Sequence, residues 1–448
     1  MSDSPSFFER FNTWLRNSVT MRIVTIGILI LLFMIPISSI ESLIREREYR
    51  QQDTIQEVSA LWGNPQTIKG PVLTIPYRTF SRVYDQEDKE KFRLVEQTEY
   101  AHFLPEKLLV NGQLLPEVRY RGIYEVIVYS SEIELKGEFP TPDFSEWNID
   151  PGDIHWDDAY LALGLSDLRS IQEYVEVNWD TATFSFNPGV ESRDIIQSGI
   201  HAALSMSPPE ADKRKHSFAL SLNFNGSSSL DFVPLGKSTE VSISSPWKDP
   251  SFGGAFLPDN REVKESGFSA QWEILHLNRP YPQSFRGTQQ GIDGSAFGVS
   301  LLLPVDEYQK SMRSAKYALM LVSLTFMIFF FIQILRKVRI HPIQYIMVGL
   351  ALVVFYTLLI ALSEHISFQR AYLVASVAII TMITLYVHSI FKNTQLTLIM
   401  GGILVILYAF IYTIIQLQDF ALLMGSVGLF IVLAIVMYLS RKIDWYNT

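Results

Sequence analysis

The chain has 448 residues, of which 48% are hydrophobic and 19% are charged, and its mean hydropathy of +0.16 is too high for a protein that is water-soluble throughout. Residues 41–316 carry 41 acidic and 27 basic side chains, whereas the remainder carries 5 acidic and 10 basic ones, so an acidic block lies within a basic, apolar frame. The absence of cysteine excludes disulfides, thiolate metal sites and cysteine nucleophiles. The acidic block also lacks the basic surface that nucleic acids require.

Six uncharged, apolar segments are each long enough to cross a hydrocarbon core of about 30 Å. They are residues 23–40, 317–335, 343–362, 371–390, 396–417 and 420–439. The first leads into Glu41 and Ser42 without a small-residue cleavage site, which favours an uncleaved anchor over a signal peptide. The sequence therefore predicts six transmembrane helices in a lipid bilayer.

The distribution of lysine and arginine around these segments predicts their orientation, because short loops rich in these residues stay in the cytoplasm. One set of segment ends is flanked by nine basic residues, namely Arg10, Arg16, Arg22, Arg336, Lys337, Arg339, Lys392, Arg441 and Lys442. The opposite short loops hold only Arg370. Arg45, Arg47 and Arg50 follow the first segment on the outer side, but they begin a long domain, for which the charge rule loses force.

These observations predict a membrane α-helical bundle with a large, mainly antiparallel β domain inserted between helices 1 and 2. The predicted parts are a cytoplasmic N-terminus (1–22), an anchor helix (23–40), an extracytoplasmic β domain (41–316), a five-helix bundle (317–439) and a cytoplasmic tail (440–448).

The β prediction depends on short runs in which apolar and polar residues alternate, the pattern of half-buried strands. Such runs occur at residues 72–84, 124–139, 182–187, 218–226, 238–245 and 267–275. Turns are predicted from residues that tolerate tight-turn backbone angles, at Asn111-Gly112, Asn225-Gly226 and Pro258-Asp259-Asn260. Helices are predicted at 44–61, as a continuation of the anchor, and at 166–174 and 304–316. The six tryptophans of the block are interpreted as core residues.

No motif predicts a catalytic, cofactor-binding or metal site. His155, Asp157 and Asp158 lie close together, but neighbouring strand residues point to opposite faces, so a solvated turn is favoured over a metal site. The nucleophile elbow, the H-E-x-x-H helix and the phosphate loop are all absent from the sequence. A Ser/His/Asp triad assembled from distant positions stays open.

Two other clusters are candidates for binding or coupling. His276 and Arg279 lie beside two prolines, and they form either a recognition loop or, as we prefer, a structured strand exit. Glu364, His365 and Arg370 lie in the one short outer loop that holds both charge signs. This loop either couples the bundle to the β domain or is an ordinary solvated turn.

Several long stretches together resemble the CreD inner-membrane proteins of bacteria, also described as colicin-E2-tolerance or cell-envelope-integrity proteins. The stretches include "GPVLTIPY" (70–77), "RGIYEVIVYSSEIELKGEF" (121–139), "LDFVPLGKSTEVSISSPWKDPSFGGAFLP" (230–258), "SGFSAQWEILHLNRPYPQ" (266–283), "FGVSLLLPVDEYQKSMRSAKYALM" (297–320) and "LSEHISF" (362–368). The resemblance implies a six-span inner-membrane protein with a periplasmic domain, regulated by a two-component system and tied to envelope stress. It supplies no accepted enzymatic activity and no cofactor.

The sequence thus predicts a non-enzymatic protein that maintains cell-envelope integrity through a periplasmic β domain bound to an unknown envelope protein, lipid or cell-wall component. Two alternatives remain open. One is a transporter or flippase of an uncharged or lipidic substrate, which the glycines within the spans would permit. The other is an envelope enzyme with a dispersed active site.

Overall fold

A computed structural model describes residues 19–84, 92–208, 215–289, 291–302, 307–336, 338, 340–417 and 420–441. The chain divides into two compact units, a helical unit of residues 1–51 and 305–448 and a β unit, Gln52–Pro304. Five of the basic residues used to predict the orientation lie outside the described residues, namely Arg10, Arg16, Lys337, Arg339 and Lys442.

The described residues contain seven α-helices. They are α1 (Val19–Trp62), α2 (Glu307–Lys316), α3 (Ala318–Leu335), α4 (Pro342–Ser363), α5 (Phe368–Phe391), α6 (Thr394–Gln416) and α7 (Ala421–Ser440). All of them except α2 are long and apolar enough to cross a membrane, which confirms the prediction of six apolar helices. Helix α1 continues without a break to Trp62, as the predicted continuation at 44–61 requires.

The helices of the bundle approach closely where one of them carries glycine. A Cβ atom added to Gly349 of α4 would lie 2.3 Å from the ring of Phe33 of α1, so only glycine leaves room for that ring. Phe33 also packs edge-on against Phe326 of α3, with 5.8 Å between the ring centroids. Small residues at helix contacts are typical of membrane bundles, whose stability comes from close packing.

The β unit contains two mixed sheets built from seventeen described strands. The strands are β1 (Gln66–Tyr84), β2 (Phe92–Phe103), β3 (Lys107–Arg121), β4 (Tyr124–Phe139), β5 (Tyr160–Leu165), β6 (Glu176–Trp179), β7 (Ala182–Ser185), β8 (Asn187–Pro188), β9 (Gly199–Ala203), β10 (His216–Ser227), β11 (Ser229–Val233), β12 (Ser238–Ser245), β13 (Pro250–Gly254), β14 (Asn260–Lys264), β15 (Gly267–Leu275), β16 (Ser284–Arg286) and β17 (Phe297–Leu301).

One sheet has the order β13-β17-β11-β1-β5-β9-β8, with β2 also paired to β1 and β16 paired to β2. The other has the order β14-β15-β12-β3-β4-β10-β6-β7. Most of these ladders are antiparallel, as predicted, but β1 pairs with β11 and β3 with β12 in parallel. The parallel pairs were not predicted, because alternation shows which residues share a face and not which strands are neighbours.

The hydrophobic core of the β unit contains side chains from both sheets. Trp272 of β15 and Phe297 of β17 belong to different sheets, and their ring centroids lie 5.5 Å apart. Trp156, Trp179 and Trp272 are buried, whereas the remaining three tryptophans of the block are only partly buried. The face-to-face packing of two sheets explains the alternation seen in the sequence, since one face of each strand is apolar and the other is exposed.

Two predicted turns are wrong. Asn111-Gly112 lies inside β3 and Asn225-Gly226 lies inside β10. Both glycines leave room for a neighbouring side chain. A Cβ at Gly112 would lie 2.5 Å from Ile133, and one at Gly226 would lie 2.3 Å from the ring of Tyr129. Of the third predicted turn, Pro258 and Asp259 lie in the connection between β13 and β14, and Asn260 is the first residue of β14.

The helix predicted at residues 166–174 is also wrong, since only one 3-10 turn forms there, Leu168–Ser170. Asp167 explains the difference, because its side chain accepts a hydrogen bond from the backbone N–H of Arg169 and pairs with the Arg169 guanidinium. This local bonding satisfies the backbone in a turn and competes with a helix.

Candidate functional site

One polar cluster of the β unit centres on His102, which motif searching missed. Antiparallel pairing places His102 of β2 and Tyr160 of β5 on either side of Thr74 of β1. Residues opposite one another in a ladder share a face, so the three polar side chains meet. The connection between β8 and β9 adds Ser192 and Asp194.

The two nitrogens of the His102 imidazole determine which groups of this cluster donate and which accept hydrogen bonds. His102 Nε2 lies 3.2 Å from Asp194 Oδ2, so this nitrogen carries the proton, and Nδ1 then accepts from the Thr74 hydroxyl at 3.0 Å. Asp194 also accepts hydrogen bonds from Ser192 Oγ at 2.8 Å and from Thr288 Oγ1 at 3.1 Å.

Burial sets the charge state of this cluster. Desolvation lowers the pKa of His102 and outweighs the Asp194 carboxylate, which acts in the opposite direction. Burial alone would raise the pKa of Asp194, but hydrogen bonds from Ser192 and His102 hold it below its ordinary value. The resting cluster is therefore a neutral imidazole beside an ionised carboxylate.

The hydroxyl of Thr74, the imidazole of His102 and the carboxylate of Asp194 follow one another in the order of a nucleophilic triad. The sequence had left open a triad of this kind, with serine as the hydroxyl residue. Thr74 and His102 are each only 2% exposed, so a substrate does not reach the hydroxyl. We interpret the cluster as a buried polar network that joins three strands and one connection, because such networks stabilise a fold when every member is bonded.

This network predicts that the β unit loses stability in mild acid. Because the pKa of His102 is lowered on folding, the unfolded chain binds more protons once the pH falls below about 6.5. The contribution of His102 to stability is therefore fully present above that pH. The free energy of unfolding should decrease as the pH falls from 7.5 to 5, which urea unfolding followed by tryptophan fluorescence can measure. His102→Gln should flatten this dependence, while the exposed control His155→Gln should retain it. Equal slopes in the two variants would contradict the assignment.

The three residues of the candidate coupling loop do not form one cluster. Glu364 is turned into the helical unit, where its carboxylate lies 3.6 Å from Arg47 Nε and accepts a hydrogen bond of 3.3 Å from the Tyr308 hydroxyl. His365 and Arg370 are exposed. The partners of Glu364 thus come from α1 and α2, and the coupling of this loop to the β unit stays a prediction.

The two residues of the candidate recognition loop differ in exposure. Arg279 is buried, and its guanidinium donates to the carbonyl oxygens of Tyr281 at 2.6 Å and Leu235 at 3.1 Å. The guanidinium carbon Cζ of Arg279 also lies 4.2 Å from the centre of the Tyr281 ring. Desolvation lowers the pKa of Arg279. These contacts of Arg279 stabilise the segment that follows strand β15. His276 is partly exposed and is therefore the accessible residue of the pair.

The described residues contain no group of three or more His, Cys, Asp or Glu side chains placed to hold a metal ion. His155 begins a short 3-10 turn, and its ring contacts Asp158 at 3.5 Å with both side chains exposed.

One exposed element of the β unit was not expected from the sequence. The pairing of β1 with β5 ends at Thr74, and the pairing of β2 with β16 ends at Ala101. Strands β1 and β2 nevertheless continue to pair with each other as far as the backbone pair Tyr84 and Phe92. Residues 78–84 and 92–98, here named the β1–β2 arm, therefore pair only with each other among the described strands.

One face of the β1–β2 arm carries two exposed apolar side chains beside charged ones. Phe80 lies opposite Glu96, and Arg82 lies opposite Leu94. Phe80 is 50% exposed and Leu94 is 62% exposed. Arg78 lies on the same face, 5.5 Å from the Phe80 ring, where it pairs with Asp153 at 2.8 Å. The arm combines open strand edges with exposed apolar side chains, the features of a surface that binds another chain.

Comparison with known proteins gives one family over nearly the whole chain. A family model described as "Inner membrane protein CreD" matches residues 18–446. A curated protein, "Inner membrane protein CreD" of Escherichia coli (strain K12), is 36% identical over 424 residues, which are 93% of this chain and 91% of that protein.

Solved structures give much weaker matches. The M1 zinc metallopeptidase from Deinococcus radiodurans is 6% identical with a TM-score of 0.21, over 48% of this chain and 53% of that chain. A mutant of the same peptidase is 7% identical with a TM-score of 0.22 and the same coverage. These TM-scores are too low to support an argument about function.

Proposed function

Because the chain belongs to the CreD family of inner membrane proteins, we propose that it preserves the integrity of the bacterial cell envelope under stress by binding another envelope component through its β unit. With six apolar helices, it is a multi-pass protein of the inner membrane. We propose binding and not catalysis, since the family description is not that of an enzyme and the Thr74 and His102 side chains of the triad-like cluster are buried.

The proposed orientation has the β unit in the periplasm and both termini in the cytoplasm. The basic residues at the described helix ends support it. Arg22, Arg336, Lys392 and Arg441 all fall on the side assigned to the cytoplasm, whereas the short loops between spans on the other side contribute Arg370 among the described residues. This asymmetry is the pattern by which short loops are retained in the cytoplasm.

The observation that carries the binding proposal is the β1–β2 arm. A two-stranded ribbon is marginally stable in water by itself, and exposed strand edges promote association with other chains. An arm of this kind offers backbone N–H and C=O groups to an added strand, while side chains such as Phe80 and Leu94 supply apolar contact. We propose that its partner is an extended segment of another envelope protein.

The arm predicts a surface-specific loss of function. The double variant Phe80→Ser, Leu94→Ser should abolish protection in a host that lacks the native gene and is exposed to envelope stress, while its abundance in the membrane stays normal. Both side chains are exposed, so their loss removes binding contacts and leaves the core intact. Stress survival and immunoblotting provide the measurements.

Leu277 provides the matched control, because it is 80% exposed in the same unit and lies outside the arm. Leu277→Ser should protect the host as well as the parent does. A photoreactive amino acid at position 80 should also crosslink to a discrete protein that is not captured from position 277. Full protection by the arm variant, with the same capture from both positions, would refute this assignment.

A further inference from the structure

The helical unit contains an apolar crevice between α3, α6 and α7, with a volume of about 500 Å³. Every side chain that lines it is apolar, including Leu324 and Leu335 of α3, Phe410 of α6, and Ile435 and Leu439 of α7. The lining also contains Gly428, the one buried residue of α7, where an added Cβ would lie 2.1 Å from the Phe410 ring. Helix α7 thus meets α6 closely at this glycine and leaves the crevice beside it.

The length of the crevice matches one leaflet of a bilayer. Its lining extends from Leu324 to Leu335 on α3 and from Gly428 to Leu439 on α7. Eleven residues of helix at a rise of 1.5 Å span about 16 Å, which is half of a hydrocarbon core about 30 Å thick. Because successive spans alternate in direction, α3 and α7 run the same way, and Leu335 and Leu439 lie at the same end.

That end of the crevice carries positive charge. Arg336 directly follows Leu335, and Arg441 follows Ser440 at the end of α7. Both are exposed, and the Arg441 guanidinium lies 5.3 Å from the Tyr438 ring. Arginine and tyrosine at this depth are typical of the boundary between hydrocarbon and water. A guanidinium in this position can bind a phosphate through two parallel hydrogen bonds.

We propose that this crevice binds one anionic phospholipid, whose acyl chain fills the space between α3 and α7 and whose headgroup phosphate contacts Arg336 and Arg441. An apolar void without an occupant loses van der Waals contacts along its whole wall, and in a bilayer the apolar material at hand is a lipid chain. The crevice opens beside α7, which is otherwise almost entirely exposed along its length. In the proposed orientation the lipid belongs to the cytoplasmic leaflet.

Native mass spectrometry of the full-length protein, with phosphatidylglycerol or phosphatidylethanolamine added to the detergent, tests this site. The wild-type protein should retain one phospholipid and should prefer phosphatidylglycerol. Since one arginine near a headgroup contributes about fivefold in affinity, the variant Arg336→Gln, Arg441→Gln should lose most of that preference and still retain a lipid.

Two tryptophan variants of equal size test the acyl chain. Val436 lines the crevice and Leu433 does not. Val436→Trp should lower the fraction of lipid-bound protein at least fivefold, whereas Leu433→Trp should leave it unchanged. Phosphatidylglycerol with a photoreactive acyl chain should also label wild-type peptides from α3 or α7.

Two outcomes would overturn the proposal. One is equal lipid retention by the two tryptophan variants together with labelling outside α3, α6 and α7, which indicates lipid held only at the general protein surface. The other is a lipid-free wild-type dimer that Val436→Trp converts to a monomer, which indicates that a second copy of the chain covers the crevice. The proposal is independent of the β1–β2 arm, so its failure leaves the proposed function in place.

Discussion

Replacing Gly226 by alanine should destabilise the β unit by about 3 kcal/mol, because overpacking costs about 1–3 kcal/mol and the loss of a buried hydrogen bond adds about 1 kcal/mol. The added Cβ would lie 2.3 Å from both Cζ and Oη of Tyr129, a side chain that is fully buried. The ring cannot move without breaking the 2.7 Å hydrogen bond from its hydroxyl to the carbonyl oxygen of Ser229.

Urea unfolding of the full-length protein in detergent measures this loss, since six of the eight tryptophans lie in residues 41–316 and report on the β unit. Gly253→Ala is the matched control, because Gly253 also lies in a strand but has no atom within 4 Å of an added Cβ. The control should unfold within about 0.5 kcal/mol of the parent. Adding Tyr129→Leu to Gly226→Ala should recover part of the loss. If both glycine variants unfold alike, Gly226 is not a packing position.

The helices were predicted from the sequence because the signal for a membrane span is local. An uncharged apolar segment of sufficient length has no stable structure in a bilayer other than a helix. Both ends of each predicted segment therefore fall within about three residues of the ends of the corresponding helix, except for α1. Helix α1 begins at Val19 and continues to Trp62. Hydropathy marks only the part of a helix that crosses the hydrocarbon core, so the C-terminal end was predicted from the amphipathic continuation at 44–61 instead.

The strands were predicted nearly as well, but glycine misled the prediction of turns. Residues 124–139 and 238–245 form strands with the predicted bounds. Gly112 and Gly226 instead lie inside strands, since glycine serves close side-chain packing as well as tight turns. The two uses look the same in the sequence, because the contacting residues, Ile133 and Tyr129, come from another strand.

The His102 network could not be predicted, because its members are distant in the chain. Thr74 and Asp194 lie 28 and 92 residues from His102, and only the ladder between β1 and β2 brings Thr74 opposite His102. The β1–β2 arm has a similar origin. Alternation predicted the strand at residues 72–84. It could not predict that the neighbouring strand β5 stops pairing with β1 at Tyr160, because strand pairing depends on the sheet as a whole.

We expect the β unit to function outside the inner membrane, and labelling of single cysteines in intact cells can test this orientation. The chain contains no cysteine, so each introduced thiol reports on one position. Leu277→Cys lies on an exposed residue of the β unit, and Ser367→Cys lies on an exposed residue before α5. Asn447→Cys lies beyond the described residues, in the tail predicted to be cytoplasmic.

The orientation of the membrane spans predicts an all-or-none pattern, since a charged maleimide that crosses the outer membrane is stopped by the inner membrane. Positions 277 and 367 should react completely in intact cells, and position 447 should react only after the inner membrane is permeabilised. Labelling at position 447 in intact cells, with no reaction at position 277, would place the β unit in the cytoplasm and contradict the proposed function.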